Sequence, residues 1–457
     1  MEKLRAIWDD LQSSLWFVPT AVSLSSVVVA RVAIEIDHWI IAEQPEGWTW
    51  IYGGGADSAR VLLGTIAGSM VTIASVTFSI TMVALTLASG QFTPRILRNF
   101  MRDRINQIVL ASFIATFLFS VLILREIRAG EEAYVPAFSV TLAVVGVLIS
   151  FGLFIFFIHH VATAIQASSI IQSAANDTRR QIAATFERDT VAIGPAWMMA
   201  TPPPRSSGRS VRSNRDGYVE RIDIGRLRNA AIERDATLHV LVGPGDFAIR
   251  DEPIAVWQDE AEQPDEDDGD VLGAFLMGRQ RTISEDFAFG FRQIVDIAVR
   301  ALSPGVNDPT TACNAVDHLA SLLADLADRE WPRSEVEDDD GDVRVVLLSA
   351  GFEEYVALAF SEIRRYGRGD LAVTLRLLEA IARIADSTSR PDRIDALRTE
   401  ALGVVYGASR AIEDPIDRQR IERRLERIAE VFEDDPEEWT LDGERVIHPT
   451  AEAEASD

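Results

Sequence analysis

Four long apolar stretches lie within the first 165 residues, at about residues 15–34, 61–89, 108–124 and 135–158. Each approaches the roughly 20 apolar residues that a helix needs to cross about 30 Å of hydrocarbon. Lipid offers no water to backbone amides, so each stretch has to close its own hydrogen bonds as a helix. The chain therefore reads as membrane α-helical: four transmembrane helices followed by a cytoplasmic α+β region, a small β-barrel-like module plus a helical bundle. The expected division is 1–165 for the membrane helices, 166–214 for a juxtamembrane helix and linker, and 215–258 for the β-rich module. An acidic linker follows at 259–280, then a helical domain at 281–433 and a disordered tail at 434–457.

Loop charge gives an orientation. Lys3 and Arg5 precede the first span, Arg95, Arg98, Arg102 and Arg104 fill the second loop, and Arg179 and Arg180 follow the fourth span. The first loop is acidic apart from Arg60, and in the third loop Arg125 and Arg128 are offset by Glu126, Glu131 and Glu132. The positive-inside rule then places both termini in the cytoplasm. Trp39, Trp48, Trp50 and Tyr52 suit an aromatic belt at the opposite interface. The first span is too long for a signal peptide, and no small-residue cleavage pattern precedes the acidic residues Glu35 and Asp37, so it is expected to be retained.

The second span carries the clearest pattern. At 100° per residue, Val61, Thr65, Gly68, Ser69, Thr72, Ser75, Val76, Ser79, Val83, Thr86, Leu87 and Gly90 share one face. Eight of these twelve are Gly, Ser or Thr. The far side is apolar, with Thr77 and Thr81 expected to bond back to carbonyls one turn earlier. A small, hydroxylated face serves either close helix packing or the lining of a hydrated pathway. Thr65, Ser69, Thr72, Ser75, Ser79 and Thr86 are the pore-lining candidates. Thr93 and Pro94 then read as the start of a further helix, with Arg95, Arg98 and Arg102 either meeting lipid phosphates or forming a basic ring at the inner mouth. No ionisable side chain falls inside the second, third or fourth apolar stretch, which disfavours a proton relay. Arg31, in the first span, can snorkel and stands one turn from Glu35.

Composition removes several chemistries. Cys313 is the single cysteine, so there is no internal disulfide and no thiol cluster for zinc. Lys3 is the only lysine, which excludes a P-loop, a Schiff base and a biotinyl or lipoyl attachment. Accordingly, no metal, cofactor or catalytic residue is expected. A net charge of −26 argues against nucleic acid as a partner. The expected partners are membrane lipid, further copies of the chain in a homo-oligomer, and a small ion or cytoplasmic ligand.

Residues 217–257 alternate like short strands with a Gly-Asp turn, while the helical region opens with a capping box at Thr282 and Glu285. Polar side chains concentrate around one connector. Arg281, Asp286, Arg300, Ser303, Asn307 and Asp308 are the cytoplasmic ligand candidates, with Asp308 and Pro309 also fitted to start a helix. Ser303 has no histidine nearby in sequence and no nucleophile elbow around it.

Three segments, Gln91-Phe-Thr-Pro-Arg95, Arg300-Ala-Leu-Ser-Pro-Gly-Val-Asn-Asp-Pro309 and Gly351-Phe-Glu-Glu-Tyr-Val356 with Ile363-Arg-Arg-Tyr-Gly367, resemble the DUF2254 predicted membrane proteins of bacteria. The resemblance covers nearly the whole chain to about residue 433 and implies a multi-pass protein of the bacterial inner membrane. The family carries no assigned activity. The residues themselves lead to an oligomeric ion channel or passive transport protein with a cytoplasmic gating or vestibule domain. The alternative is a membrane-anchored sensor or scaffold whose cytoplasmic domain binds a ligand or protein.

Overall fold

The computed structural model describes residues 17–43, 52–91, 103–128, 134–164, 166–187, 194–199, 208–258, 268–279, 281, 286–331 and 333–441. The chain divides into two compact units, Met1–Gln166 and Ala167–Asp457.

In the first unit, α1 (Phe17–Glu43), α2 (Ala56–Gln91), α3 (Arg104–Glu126) and α4 (Ala137–Ala164) are each long and apolar enough to cross a membrane. The third helix is the hub and packs against the other three. Leu63 and Met70 of α2, Phe113 and Ile123 of α3, and Val140 and Phe157 of α4 are buried in the shared core. Gly146 lets α4 approach α3 closely, since a Cβ there would stand 3.4 Å from Thr116 Oγ1. Thr116 and Ser150 are hydrogen-bonded across the same interface at 3.2 Å.

α1 runs well past its apolar stretch because Asp37 has a use inside the bundle. The Asp37 carboxylate is buried and accepts from Phe138 N at 2.8 Å, Ser139 N at 3.0 Å and the Ser139 hydroxyl. One helix thus caps the start of another, satisfying free amides and opposing the positive end of the α4 dipole. Arg60 donates to Ile127 O at 2.9 Å and Tyr52 N to Thr141 Oγ1 at 2.8 Å, which tie α2 to the ends of α3 and α4. Toward the other end, Asp103 caps α3 through Ile105 N and also bonds His160 of α4.

In the second unit, α5 (Ala167–Glu187) leads to a sheet region and then to helices. The strands are β1 (Arg209–Arg212), β2 (Gly217–Ile222), β3 (Thr237–Val240), β4 (Phe247–Ala248), β5 (Pro253–Gln258), β6 (Phe275–Gly278), β7 (Glu335–Glu337) and β8 (Val343–Val346). Two short helices, α6 (Ile224–Glu233) and α7 (Gly269–Ala274), lie among them. The expected barrel-like module is not formed. The strands make an open five-stranded sheet in the order β1-β5-β3-β8-β7 and a three-stranded sheet in the order β4-β2-β6. The larger sheet stays open because its end strands pair only inward, β1 with β5 and β7 with β8. Strand β1 lies within the stretch read as linker and pairs antiparallel with β5. Trp257, Leu227, Leu238 and Val345 form the buried centre of this region.

The remaining helices are α8 (Phe287–Ala301), α9 (Pro309–Ala327), α10 (Phe352–Gly367), α11 (Leu371–Ala385), α12 (Pro391–Ala411) and α13 (Pro415–Phe432). Asp286, Asp308, Asp370 and Asp414 cap four of them by accepting first-turn amides, as their position before apolar periodic runs dictates. α8 is the centre of the bundle, packed by α5, α9 and α10. Its Gly290 is required by space: a Cβ would fall 1.9 Å from Thr178 Oγ1 of α5. The acidic residues 338–342 form the hairpin turn between β7 and β8, where Asp338 accepts from Arg344 at 2.6 Å. The capping box at Thr282 and Glu285 and the helix start at Thr93 fall outside the described residues.

Candidate functional site

The hydroxylated face of α2 does not pack within the chain. Leu63, Ile66, Ala67, Met70 and Ala84, on the other side, are buried against the bundle, whereas Thr65, Gly68, Ser69, Thr72, Ser75, Ser79 and Thr86 are all exposed. The amphipathic logic of a soluble helix is thereby transferred to lipid: the apolar side meets the protein and the small polar side is left open.

Five of the six candidate hydroxyls on this face, all but that of Ser69, are aimed in a common way. Thr65 donates to Val61 O at 2.8 Å, Thr72 to Gly68 O at 3.0 Å, Ser75 to Val71 O at 2.9 Å, Ser79 to Ser75 O at 2.9 Å and Thr86 to Met82 O at 2.8 Å. Each proton points into the helix's own backbone, so the oxygen lone pairs remain for whatever lies outside. The face is a row of acceptors. Thr81 also bonds back one turn, to Thr77 O, but Thr77 does not bond back as expected. It is buried, and its hydroxyl has no hydrogen-bond partner. Its side chain is on the packed side of α2. Arg95, Arg98 and Arg102, the inner-mouth candidates, lie outside the described residues.

In the second unit the six ligand candidates separate into two groups. Asp286 stands at the start of α8, accepting from Phe289 N at 3.1 Å through Oδ1 and from Arg281 at 2.6 and 3.1 Å through Oδ2. Arg281 is held between the rings of Trp197 and Phe289, whose centroids lie 5.0 and 5.1 Å from its guanidinium carbon. Asp246 completes this node, accepting from Ala196 N and Gly243 N, both at 2.7 Å. Gly245, at φ +94°, passes so close that a Cβ would sit 2.2 Å from Asp286 Oδ2. Burial pushes the Asp286 carboxyl up to about 6 although Arg281 opposes the shift. Burial also raises Asp246, and holds the neighbouring Tyr355 phenol well above its ordinary value.

Arg300, Ser303, Asn307 and Asp308 stand at the opposite end of α8. Fifteen residues at 1.5 Å each put about 22 Å between the two ends. Here Ser303 Oγ donates to Arg300 O at 2.6 Å, and Asp308 accepts from Thr311 N at 3.1 Å and Thr311 Oγ1 at 2.6 Å. The hydrogen bonds from Thr311 hold the Asp308 carboxyl below the usual carboxylate range. Asn307 adopts φ +50°, a left-handed conformation that asparagine tolerates better than most residues.

Asp246, Trp197 and Tyr355 were absent from the sequence candidates and belong to the first group. Two of them sit in segments already visible as patterns: Asp246 in the Gly-Asp turn and Tyr355 in the Gly351-to-Val356 motif. Nothing local announces Trp197. Chemically the first group is a closed ion cluster that fastens the 194–199 segment, the 243–246 turn and the start of α8. Among the described residues, no group of His, Cys, Asp and Glu is arranged to hold a metal ion.

Comparison with known proteins follows the membrane unit into the second. The model of the family described as "Predicted membrane protein (DUF2254)" matches residues 12–383. An uncharacterized protein of Mycobacterium tuberculosis and one of Mycobacterium bovis are each 30% identical to this chain over 444 residues. The match covers 95% of this chain and 83% of each relative. No solved structure matches.

Proposed function

The chain belongs to the DUF2254 family of predicted membrane proteins, and from that premise we propose that it is a homo-oligomeric ion channel or passive transport protein. The open face of α2 carries this reading. In the reading, copies assemble with their α2 helices toward a common axis, so that Thr65, Ser69, Thr72, Ser75, Ser79 and Thr86 line a hydrated path. Acceptor oxygens along that path accommodate a hydrated cation better than an anion. The second unit serves as vestibule or gate on the cytoplasmic side, with both termini there by the positive-inside charge balance. Relatives in mycobacteria support a bacterial cell membrane as the location.

The path would be passive, since the face contains hydroxyls and glycines and no ionisable group to couple transport to a proton. The test is purified protein in liposomes, with potassium, chloride and water flux measured across a range of voltage and osmotic gradients. Cation flux that falls when Thr72 is replaced by phenylalanine supports the reading. No flux of any of the three in a correctly assembled oligomer overturns it.

A further inference from the structure

A second feature of the membrane unit concerns α1. Arg31 and Glu35 are both exposed on a helix that is otherwise apolar enough to span a bilayer. They stand one turn apart, the spacing at which an arginine and a glutamate pair along a helix. Among the described residues neither forms an ion pair or a hydrogen bond, though Glu35 stands near enough to Tyr134 to act on it electrostatically. Instead Arg31, Val32, Glu35, Ile36 and Trp39 line a groove of about 360 Å³. Opposite charges left apart at the edge of hydrocarbon are expensive unless something bonds each of them.

The order of the charges along α1 identifies the occupant. Arg31 lies deeper, and Glu35 lies about 6 Å further toward the polar connection to α2. Trp39 is one more turn along and 49% exposed, placed as interfacial tryptophans are. On the deep side of Arg31, Leu24, Val28 and Val32 are 66%, 63% and 54% exposed, an apolar surface for acyl chains. An amine-bearing phospholipid has the same sequence of groups: chains, then phosphate, then ammonium nearest water.

We propose that this groove is a binding site for one phospholipid with a primary amine in its headgroup, its phosphate held by Arg31 and its ammonium by Glu35. An anionic headgroup without an amine would place its distal group beside the Glu35 carboxylate and gain nothing there.

The full chain, purified in mild detergent and delipidated, is titrated with phosphatidylethanolamine, phosphatidylglycerol and phosphatidylcholine, and bound lipid is counted by native mass spectrometry. Phosphatidylethanolamine is expected to bind about tenfold more tightly than phosphatidylglycerol, the effect of one charge-assisted hydrogen bond. Glu35→Gln should abolish that preference while leaving phosphatidylglycerol binding intact. Arg31→Gln should weaken all three lipids and Arg31→Lys should restore part of the loss. Should Arg31→Gln fail to assemble, Glu35→Gln decides the matter alone. Equal retention of all three lipids overturns the proposal, as does displacement of lipid by millimolar phosphate plus ethanolamine, which would assign the groove to small ions. Disulfide linkage of copies through Val32→Cys in native membranes would show a second copy there and overturn it too.

Discussion

Two faces of the membrane unit are open to their surroundings, and they are made of opposite materials. On α4 the open side presents Leu148, Ile149, Phe151, Ile155, Phe156 and Ile158, between 49% and 68% exposed. On α2 the open side presents Thr65, Gly68, Ser69, Thr72, Ser75 and Ser79, flanked by Val61, Val71, Val76, Phe78, Met82 and Val83. Large apolar side chains need only acyl chains as neighbours. Small hydroxylated ones gain little from acyl chains and much from a close helix or from water. The same bundle buries the apolar sides of both helices, so the contrast does not come from core packing. It marks α4 as the helix whose open side is bulky and apolar and α2 as the one whose open side carries the small hydroxylated residues.

Arginine is the sharpest probe of that difference. Leu148→Arg near the middle of α4 should cost about 3 kcal/mol of insertion free energy, as a charge does at the centre of a membrane helix. Ser75→Arg, at a comparable depth on α2, should cost well under half of that if its surroundings are hydrated. Glycosylation-reporter insertion and expression levels measure both, and equal penalties would erase the distinction between the faces.

Bulk comes next. Thr72→Phe and Ser79→Phe should reduce liposome flux by about tenfold or more by filling a narrow path, and Ile149→Phe on α4 should leave it unchanged. If all three variants assemble and conduct alike, the α2 face packs and does not conduct.

Asp37→Ala tests the interior that holds both faces in place. It would strand Phe138 N and Ser139 N at the start of α4 and should lower unfolding stability by about 2 kcal/mol. Asp37→Asn, which keeps acceptor capacity, should lose less. Thermal unfolding in detergent reads the order, and no difference between alanine and wild type would remove the cap from the account.

The smallest effect belongs to pH and to the second unit, where no face is open in the same sense. Burial raises Asp286 to about 6 in the folded chain, above the ordinary carboxylate value of 3.8. The folded state therefore holds a proton that the unfolded state releases. The stabilising contribution is complete below about pH 4 and is lost as pH rises through about 6. Asp286→Asn should flatten that part of the stability curve, and an unchanged profile would show that Asp286 does not titrate there.

How much of this could be read from residues differs between the units. The four membrane helices follow from apolar runs, and the caps at Asp308, Asp370 and Asp414 follow from local chemistry, because both signals act within a turn or two; the start of α8, read at Thr282, lies instead at Asp286. The hydroxylated stripe of α2 was visible at 100° per residue, but whether it packed inside the chain was not. Asp37 looked like loop acidity until α4 arrived 101 residues later to receive it. The second unit was less legible. Strand β3 pairs with β8 across more than a hundred residues, so alternation alone placed its partners wrongly and suggested a barrel. Arg281 and Asp286 were read together with Ser303 and Asp308 because they are near in sequence, and the straight helix between them keeps the two sets apart.

By itself the sequence determined that the chain holds four helices apolar enough to span lipid, and which face of α2 is small and polar. Backbone hydrogen bonds in hydrocarbon and helix periodicity are local requirements, so local residues satisfy them. Only the tertiary structure decided that the polar face of α2 stays open, that Asp37 serves α4, and that the strands close no barrel. Those outcomes depend on which distant element fills each neighbouring space, and close packing among elements is set by the whole chain at once.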